Sequence, residues 1–205
     1  LKKAKAKKFS TKELQSLHNI AKDADITNVN QVWTEDITYI MTKNDGFVYL
    51  ASVMDNFSKK IISYEVSSVM DTNLVLRVLK KALKVRAIGD KGLIIHSDKG
   101  AQYRAKVYKK FCAINHLTPS YTRLLYSCAD NASQESFHSL LKKEFLFHRE
   151  IKDLDDAKLL VFEYIDTFYN TKRIHGSIGY ISPDEYEKKL AVFNPDNGRD
   201  FLVLL

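Results

Sequence analysis

The sequence predicts an α/β fold in which a mixed five-stranded sheet is flanked by helices and followed by a C-terminal helical extension. Three observations lead there: three β-rich runs separated by turn signals between Val32 and Val66, a short uninterrupted apolar run at 93–95, and amphipathic stretches interleaved with and following them. With 205 residues, 45% of them hydrophobic, the chain can bury one genuine core with small appendages.

The first run, "VWTEDITYIMT" (32–42), is rich in β-branched and aromatic side chains and ends at "KNDG", where Asn44, Asp45 and Gly46 can take turn dihedrals. "FVYLASVMD" (47–55) is the returning strand, and "KIISYEV" (60–66) alternates well enough to be a third antiparallel strand. Asp71 and Thr72 offer an N-cap to "NLVLRVLKKALKVRA", whose Leu74, Val78, Leu79 and Leu83 fall close to one helical face. "GLIIHS" (92–97) suits a strand covered on both faces, with Asp98 at its C-terminal end. A helix over 105–114, a strand at 117–121, a long amphipathic helix over 131–148 and helical stretches at 154–169 and 183–192 complete the pattern. This element order is that of the ribonuclease-H-like fold, whose first strand is central and lies beside the fourth. Asp36 in "TEDITY" would then approach Asp98 from a neighbouring strand.

The formal charge of +7 points to a polyanionic partner, nucleic acid or an anionic membrane surface, without choosing between them. No run approaches the roughly 20 apolar residues that cross a bilayer. The basic start "LKKAKAKKF" is not followed by an apolar stretch of signal-peptide length, so no secretory signal is expected. Cys112 and Cys128 stand outside any CxxC or metal-spaced pattern, which argues against a disulfide framework or zinc site and fits a reducing cytosol. The chain begins without Met and reads as a fragment of a longer product. Its expected organisation is a basic arm or linker over 1–29, a core over 30–150, a helical extension over 151–192 and a tail over 193–205.

Three carboxylates stand out. Asp36 lies among β-branched residues in the expected central strand, where an uncompensated charge is costly. Asp98 sits at a strand exit, and Glu135 lies in the opening turns of "DNASQESFHSLLKKE", which Asp130 or Asn131 can cap. Singly, each reads as well as a turn, cap or solubility residue. Together they make a hard oxygen site of the kind Mg2+ or Mn2+ prefers, on a basic protein able to hold a phosphodiester. Two such ions about 4 Å apart can activate an attacking hydroxyl and stabilise a leaving oxygen in an in-line displacement. Ser139 and Lys142 follow Glu135 at i+4 and i+7 on the same helical face, so Lys142 could meet DNA phosphate beside the metals or simply be solvated.

"WTEDITYI", "YLASVMDNFSKKIISYEV", "LIIHSDKGAQY", "DNASQESFHSLLKKE" and "YNTKRIHGSIGYISPDEYE" occur in an order that resembles bacterial insertion-sequence transposases with a retroviral-integrase-like core. The likeness spans roughly 30–190. It implies that the family's acidic triad falls on Asp36, Asp98 and Glu135, and that the chain is a DDE recombinase. Such an enzyme uses Mg2+ or Mn2+, nicks DNA at its element's ends, joins the 3′-hydroxyl to target DNA and acts as a homo-oligomer on DNA in the bacterial cytoplasm, at the nucleoid. Asp55 matches a family position but reads as structural. Lys99, Gln102, Tyr103, Arg123, Lys142, Arg173 and His175 are the candidate DNA-contacting residues, with Gln102, Tyr103 and His175 equally able to brace the fold.

The chain departs from the family pattern in three respects. Asp98 and Glu135 are separated by 36 residues (99–134), one more than is usual, with the surplus in "SYTRLLYSCADNA". That loop lacks the glycine of the family's Ser-Met-Ser-Arg-x-Gly run, and Ser133 replaces a proline. The helix-turn-helix segments that recognise element ends are expected upstream of this chain. Two other readings compete with an active transposase core: a degenerate remnant that binds DNA without catalysis, and a nuclease acting on RNA:DNA hybrids, which the C-terminal motif disfavours.

Overall fold

The longest β-branched and aromatic run forms the central strand β1 (Val32–Thr42). In the computed structural model, which describes residues 17–86, 88, 92–123 and 131–193, β2 (Gly46–Asp55) returns antiparallel to it and β3 (Ile61–Ser67) extends the meander. Gly46 closes the first turn at φ +70°, a conformation that favours glycine. The second turn is braced by Asp55, whose buried carboxylate accepts N–H bonds from Asn30, Phe57 and Ser58. β4 (Ile94–Ser97) and β5 (Thr118–Tyr121) add in parallel on the other side of β1, giving the order β3-β2-β1-β4-β5 expected of the ribonuclease-H-like topology.

Helix α1 (Thr72–Arg86) begins at Asp71, whose Oδ1 accepts the Leu74 N–H at 2.9 Å. It crosses the sheet with Leu74, Val78 and Leu79 fully buried. The helix expected over 105–114 starts earlier and is broken at Ala105 (ψ 141°) into α2 (Ala101–Arg104) and α3 (Lys106–Ile114). The break has a packing reason. Tyr103 and Tyr108 are both buried and meet edge-to-face at 5.6 Å, whereas five residues of continuous helix would point them about 140° apart.

The long helix expected over 131–148 is α-helical only as α4 (Ala132–Leu140) and widens into a π-helical segment over Leu141–Leu146. Its expected side-chain cap is not made by Asn131, whose backbone carbonyl instead accepts the Gln134 and Glu135 N–H groups; Asp130 lies outside the described residues. Helix α5 (Leu154–Tyr164) is capped by Asp153 and also ends in a π turn, and α6 (Pro183–Phe193) closes the described chain.

Alternation along the strands divides the core into two layers. Trp33, Ala51, Val53 and Ile95 pack against α1, α2 and α3 on one face. Ile40, Val48, Leu50 and Met54 pack against α4 and α5 on the other. The C-terminal segment is bonded to the sheet edge: the Asn170 side chain accepts the Ile61 N–H and donates to its carbonyl, both at 3.0 Å. Glu187 of α6 reaches Arg86 at 2.6 Å and accepts from Ser58 at 2.6 Å, with both charged side chains buried. Among the described residues no helix is long and apolar enough to cross a membrane. The basic run at 2–8 and the tail over 194–205 lie outside the described residues, as does 124–130 of the altered loop.

Candidate active site

β1 and β4 pair only at Val32–Ile94, Trp33–Ile95 and Thr34–His96, and beyond that level their pairing stops. Asp36 and Asp98 each follow the last pair by two residues, so Asp36, midway along β1, and Asp98, just past the end of β4, stand level at the crevice where the two strands part. Asp98 folds back to accept the Gly100 N–H at 2.7 Å. A Cβ on residue 100 would stand 2.8 Å from that same Asp98 oxygen, which is why this turn takes glycine.

Desolvation raises the Asp98 carboxyl above the usual carboxylate range; the Gly100 N–H and Arg104 oppose the shift, and the charge of Asp36 adds to it. Glu135, in the first turn of α4, is likewise raised by desolvation and by Asp36, with His138 opposing. The charge of Asp36 is therefore felt at both other acids.

The way α4 lies on the sheet explains this proximity. Gln134, Phe137, His138 and Leu141, at i, i+3, i+4 and i+7, form its buried stripe. Phe137 and Leu141 supply the apolar anchor, while Gln134 and His138 face β2 and β1. Sequence reasoning missed these two polar residues, although their helical spacing with Phe137 and Leu141 is the signal that would have found them. Gln134 donates to the Ser52 hydroxyl, which also hydrogen-bonds His138 Nε2 at 3.1 Å. The carboxylate of Asp36 beside Nδ1 can only accept, which favours the imidazole N–H on Nδ1, and Nε2 then accepts from the Ser52 hydroxyl. Nδ1 lies 3.3 Å from Asp36 Oδ2, so a chain of buried groups ends on one oxygen of Asp36.

Asp36, Asp98 and Glu135 are an all-oxygen donor set, and the repulsion from Asp36 is what a hard divalent cation would cancel. Among the described residues, however, no three His, Cys, Asp or Glu side chains are gathered closely enough to hold a metal ion. Asp36 faces His138 Nδ1, and Asp98 accepts the Gly100 N–H.

The remaining candidates divide by surroundings. Lys142 has its ammonium 4.2 Å from the Tyr39 ring centre and is drawn up by Asp36, though burial lowers its pKa overall. Lys99 and half-buried Gln102 flank Asp98, and exposed Arg123 follows β5. Tyr103 is only 2% exposed and packs edge-to-face against Tyr108. Arg173 is engaged by Glu144 through bonds of 2.9 and 3.1 Å. His175 stands against Tyr169, ring centres 4.8 Å apart.

Residues 27–127 match a family model described as integrase core domain, and 135–190 match a second model of the same description. The chain is 38% identical over 163 residues to the uncharacterized 31 kDa protein of insertion element IS600 from Shigella sonnei, covering 80% of this chain and 59% of that one. It is 38% identical over 162 residues to the transposase for insertion sequence element IS904 from Lactococcus lactis, covering 79% and 63%. It thus spans about six-tenths of the length of these relatives. The magnesium complex of the HTLV-2 integrase catalytic core domain (trimeric form) shares the fold with a TM-score of 0.55 at 16% identity, over 74% of this chain and 93% of that one.

Proposed function

Because the chain belongs to the integrase core domain family, in the branch of the insertion-sequence transposases, we propose that it is a DDE transposase catalytic core that cleaves DNA strands and transfers them to target DNA. The observation that carries this reading is the level placement of Asp36 and Asp98 on diverging parallel strands, with Glu135 facing them from α4.

In this reading Asp36, Asp98 and Glu135 hold Mg2+ or Mn2+, as a pair of ions. When bound, such ions polarise the scissile phosphate and make the attacking hydroxyl more acidic. His138, backed by Ser52 and Gln134, fixes the orientation of Asp36, and the Gly100 N–H fixes that of Asp98. Lys142 supplies a cation for the phosphate beside them. In cleavage, a water oxygen bonds to phosphorus as the P–O3′ bond breaks; the water loses a proton to solvent and the leaving 3′-oxygen gains one. In joining, that 3′-hydroxyl oxygen attacks a target phosphorus and the target's own 3′-oxygen leaves in the same way.

Pairing two element ends calls for at least two copies of the chain on DNA, and the work is done in the bacterial cytoplasm, on the nucleoid. The degenerate-remnant alternative is not favoured, since Asp36, Asp98 and Glu135 are all retained in the sequence.

The test is nicking of supercoiled plasmid and of short duplexes with Mg2+ or Mn2+, comparing the chain with Asp98→Asn. Metal-dependent nicking lost in the variant supports the reading. Nicking that survives the substitution contradicts it.

A further inference from the structure

Beside the face of α4 that borders the acids, its adjoining face lines a second depression. Buried Met54, Phe137 and Tyr169 floor a cavity of about 270 Å3, and Lys59, Ser133, Ser136, His175 and Ser177 supply its polar lining. Ser133, Ser136, Phe137 and Leu140 form one helical stripe; Glu135, His138, Ser139 and Lys142 form the next, so one helix serves both places. Among the described residues no carboxylate lines the cavity.

Its donors are aimed inward. Lys59 takes φ +64°, a left-handed conformation that a residue with a Cβ disfavours, at the end of the turn braced by Asp55. Its ammonium donates to Ser133 Oγ at 3.1 Å, which accounts for one of three donors. Burial lowers the Lys59 pKa and Asp55 partly restores it, while the Asp55 oxygens themselves are turned to backbone N–H groups. His175 Nε2 is sealed from solvent without a hydrogen-bond partner among the described residues. Burial, then Arg173, with a lesser push from Lys59, brings the His175 pKa down to about 4 against the pull of Glu144, so the ring is neutral and can carry its one N–H on Nε2. An ammonium and three hydroxyls, beside a neutral ring and with no carboxylate between them among the described residues, form a receptor for a tetrahedral anion.

We propose that this cavity is a subsite for one backbone phosphate of the DNA strand that crosses the acids, with Lys59 and Ser136 as its donors. The proposal rests on the DNA-processing reading above and adds to it a fixed point on the strand, one helix face away from Glu135.

The experiment measures binding of a labelled duplex to the full chain across a salt series, for the wild type, Lys59→Asn and Ser136→Glu. Asparagine tolerates the left-handed backbone, and the exposed Ser136 accepts a larger side chain, so the two variants perturb the cavity by independent routes; thermal unfolding confirms that each is folded. Lys59→Asn should flatten the slope of log K against log salt by about 1, the signature of one lost phosphate contact. Ser136→Glu should weaken binding by roughly tenfold, through like-charge repulsion. A duplex with one neutral methylphosphonate, moved linkage by linkage, should weaken binding to the wild type at one linkage to which Lys59→Asn is indifferent. Unchanged slopes and identical linkage profiles, with duplex binding and metal-dependent nicking intact, would overturn the subsite alone. Inorganic phosphate that binds in the cavity while those profiles stay identical would assign it to the free anion and overturn the DNA proposal. Absence of duplex binding by the wild type would overturn both the subsite and the transposase reading.

Discussion

Asp36 and Asp98 stand level with each other across two parallel strands, each two residues beyond the Thr34–His96 pair at which the β1–β4 ladder ends. Had the ladder continued, they would be paired neighbours. Because it stops, both carboxyls reach an open crevice with the charge of one bearing on the other.

Removing either charge, or that of Glu135, should abolish strand cleavage while leaving DNA binding nearly unchanged. Asp36→Asn, Asp98→Asn and Glu135→Gln each give up several kcal/mol of transition-state charge stabilisation, a loss on the order of 10^3-fold in the single-turnover rate. Gel-resolved cleavage beside duplex binding checks it; a variant that cleaves at the wild-type rate removes that residue from the site.

His138→Ala should lower Mn2+ affinity by about 10- to 100-fold, because Asp36 loses the group that orients it. His138→Asn, which keeps a donor near Asp36, should recover part of that affinity. Mn2+ titration followed by electron paramagnetic resonance reads this directly, and equal affinity in wild type and His138→Ala would show the contact to be packing only.

The buried pair of Arg86 and Glu187 predicts a stability effect remote from the acids. Glu187→Ala strips the Arg86 guanidinium of its carboxylate and Ser58 of its acceptor, and should cost about 3–5 kcal/mol in denaturant unfolding. A loss within experimental error of zero would mean that α6 contributes little to holding the core.

Glu35, fully buried, donates nothing to the crevice but accepts the Tyr108 hydroxyl at 2.6 Å, and burial pushes its pKa from 4.5 up to about 8. The folded state therefore holds this proton more tightly than the unfolded chain does. Its stabilising contribution is complete below pH 4.5 and is lost as the pH rises through about 8. Glu35→Gln should flatten the fall in unfolding free energy over that window and be the more stable protein at its alkaline end. An identical pH profile in the variant would contradict this.

Much of this was legible in the sequence because local chemistry and global topology agree. The alternation in "VWTEDITYIMT", the turn at Gly46 and the Asp71 cap each specify their element without tertiary help, and the unbroken "LIIHS" gives a strand buried on both faces. The break at Ala105 was hidden, since it arises from the need to bury Tyr103 and Tyr108 side by side. The same holds for His138, whose importance depends on Ser52, 86 residues away in sequence. The ion pair of Arg173 with Glu144, 29 residues earlier in the chain, was hidden in the same way. Periodicity reports which face a residue takes, and not which partner waits there.

The most direct measurement is the anomalous difference map of crystals of the chain soaked in Mn2+. The account predicts a peak bridging the Asp36 and Asp98 carboxylates, with oxygen distances of about 2.1 Å, and Glu135 drawn toward it. A manganese peak elsewhere, with Asp36 still on His138 and Asp98 still on Gly100, would contradict the assignment of these acids as the metal site.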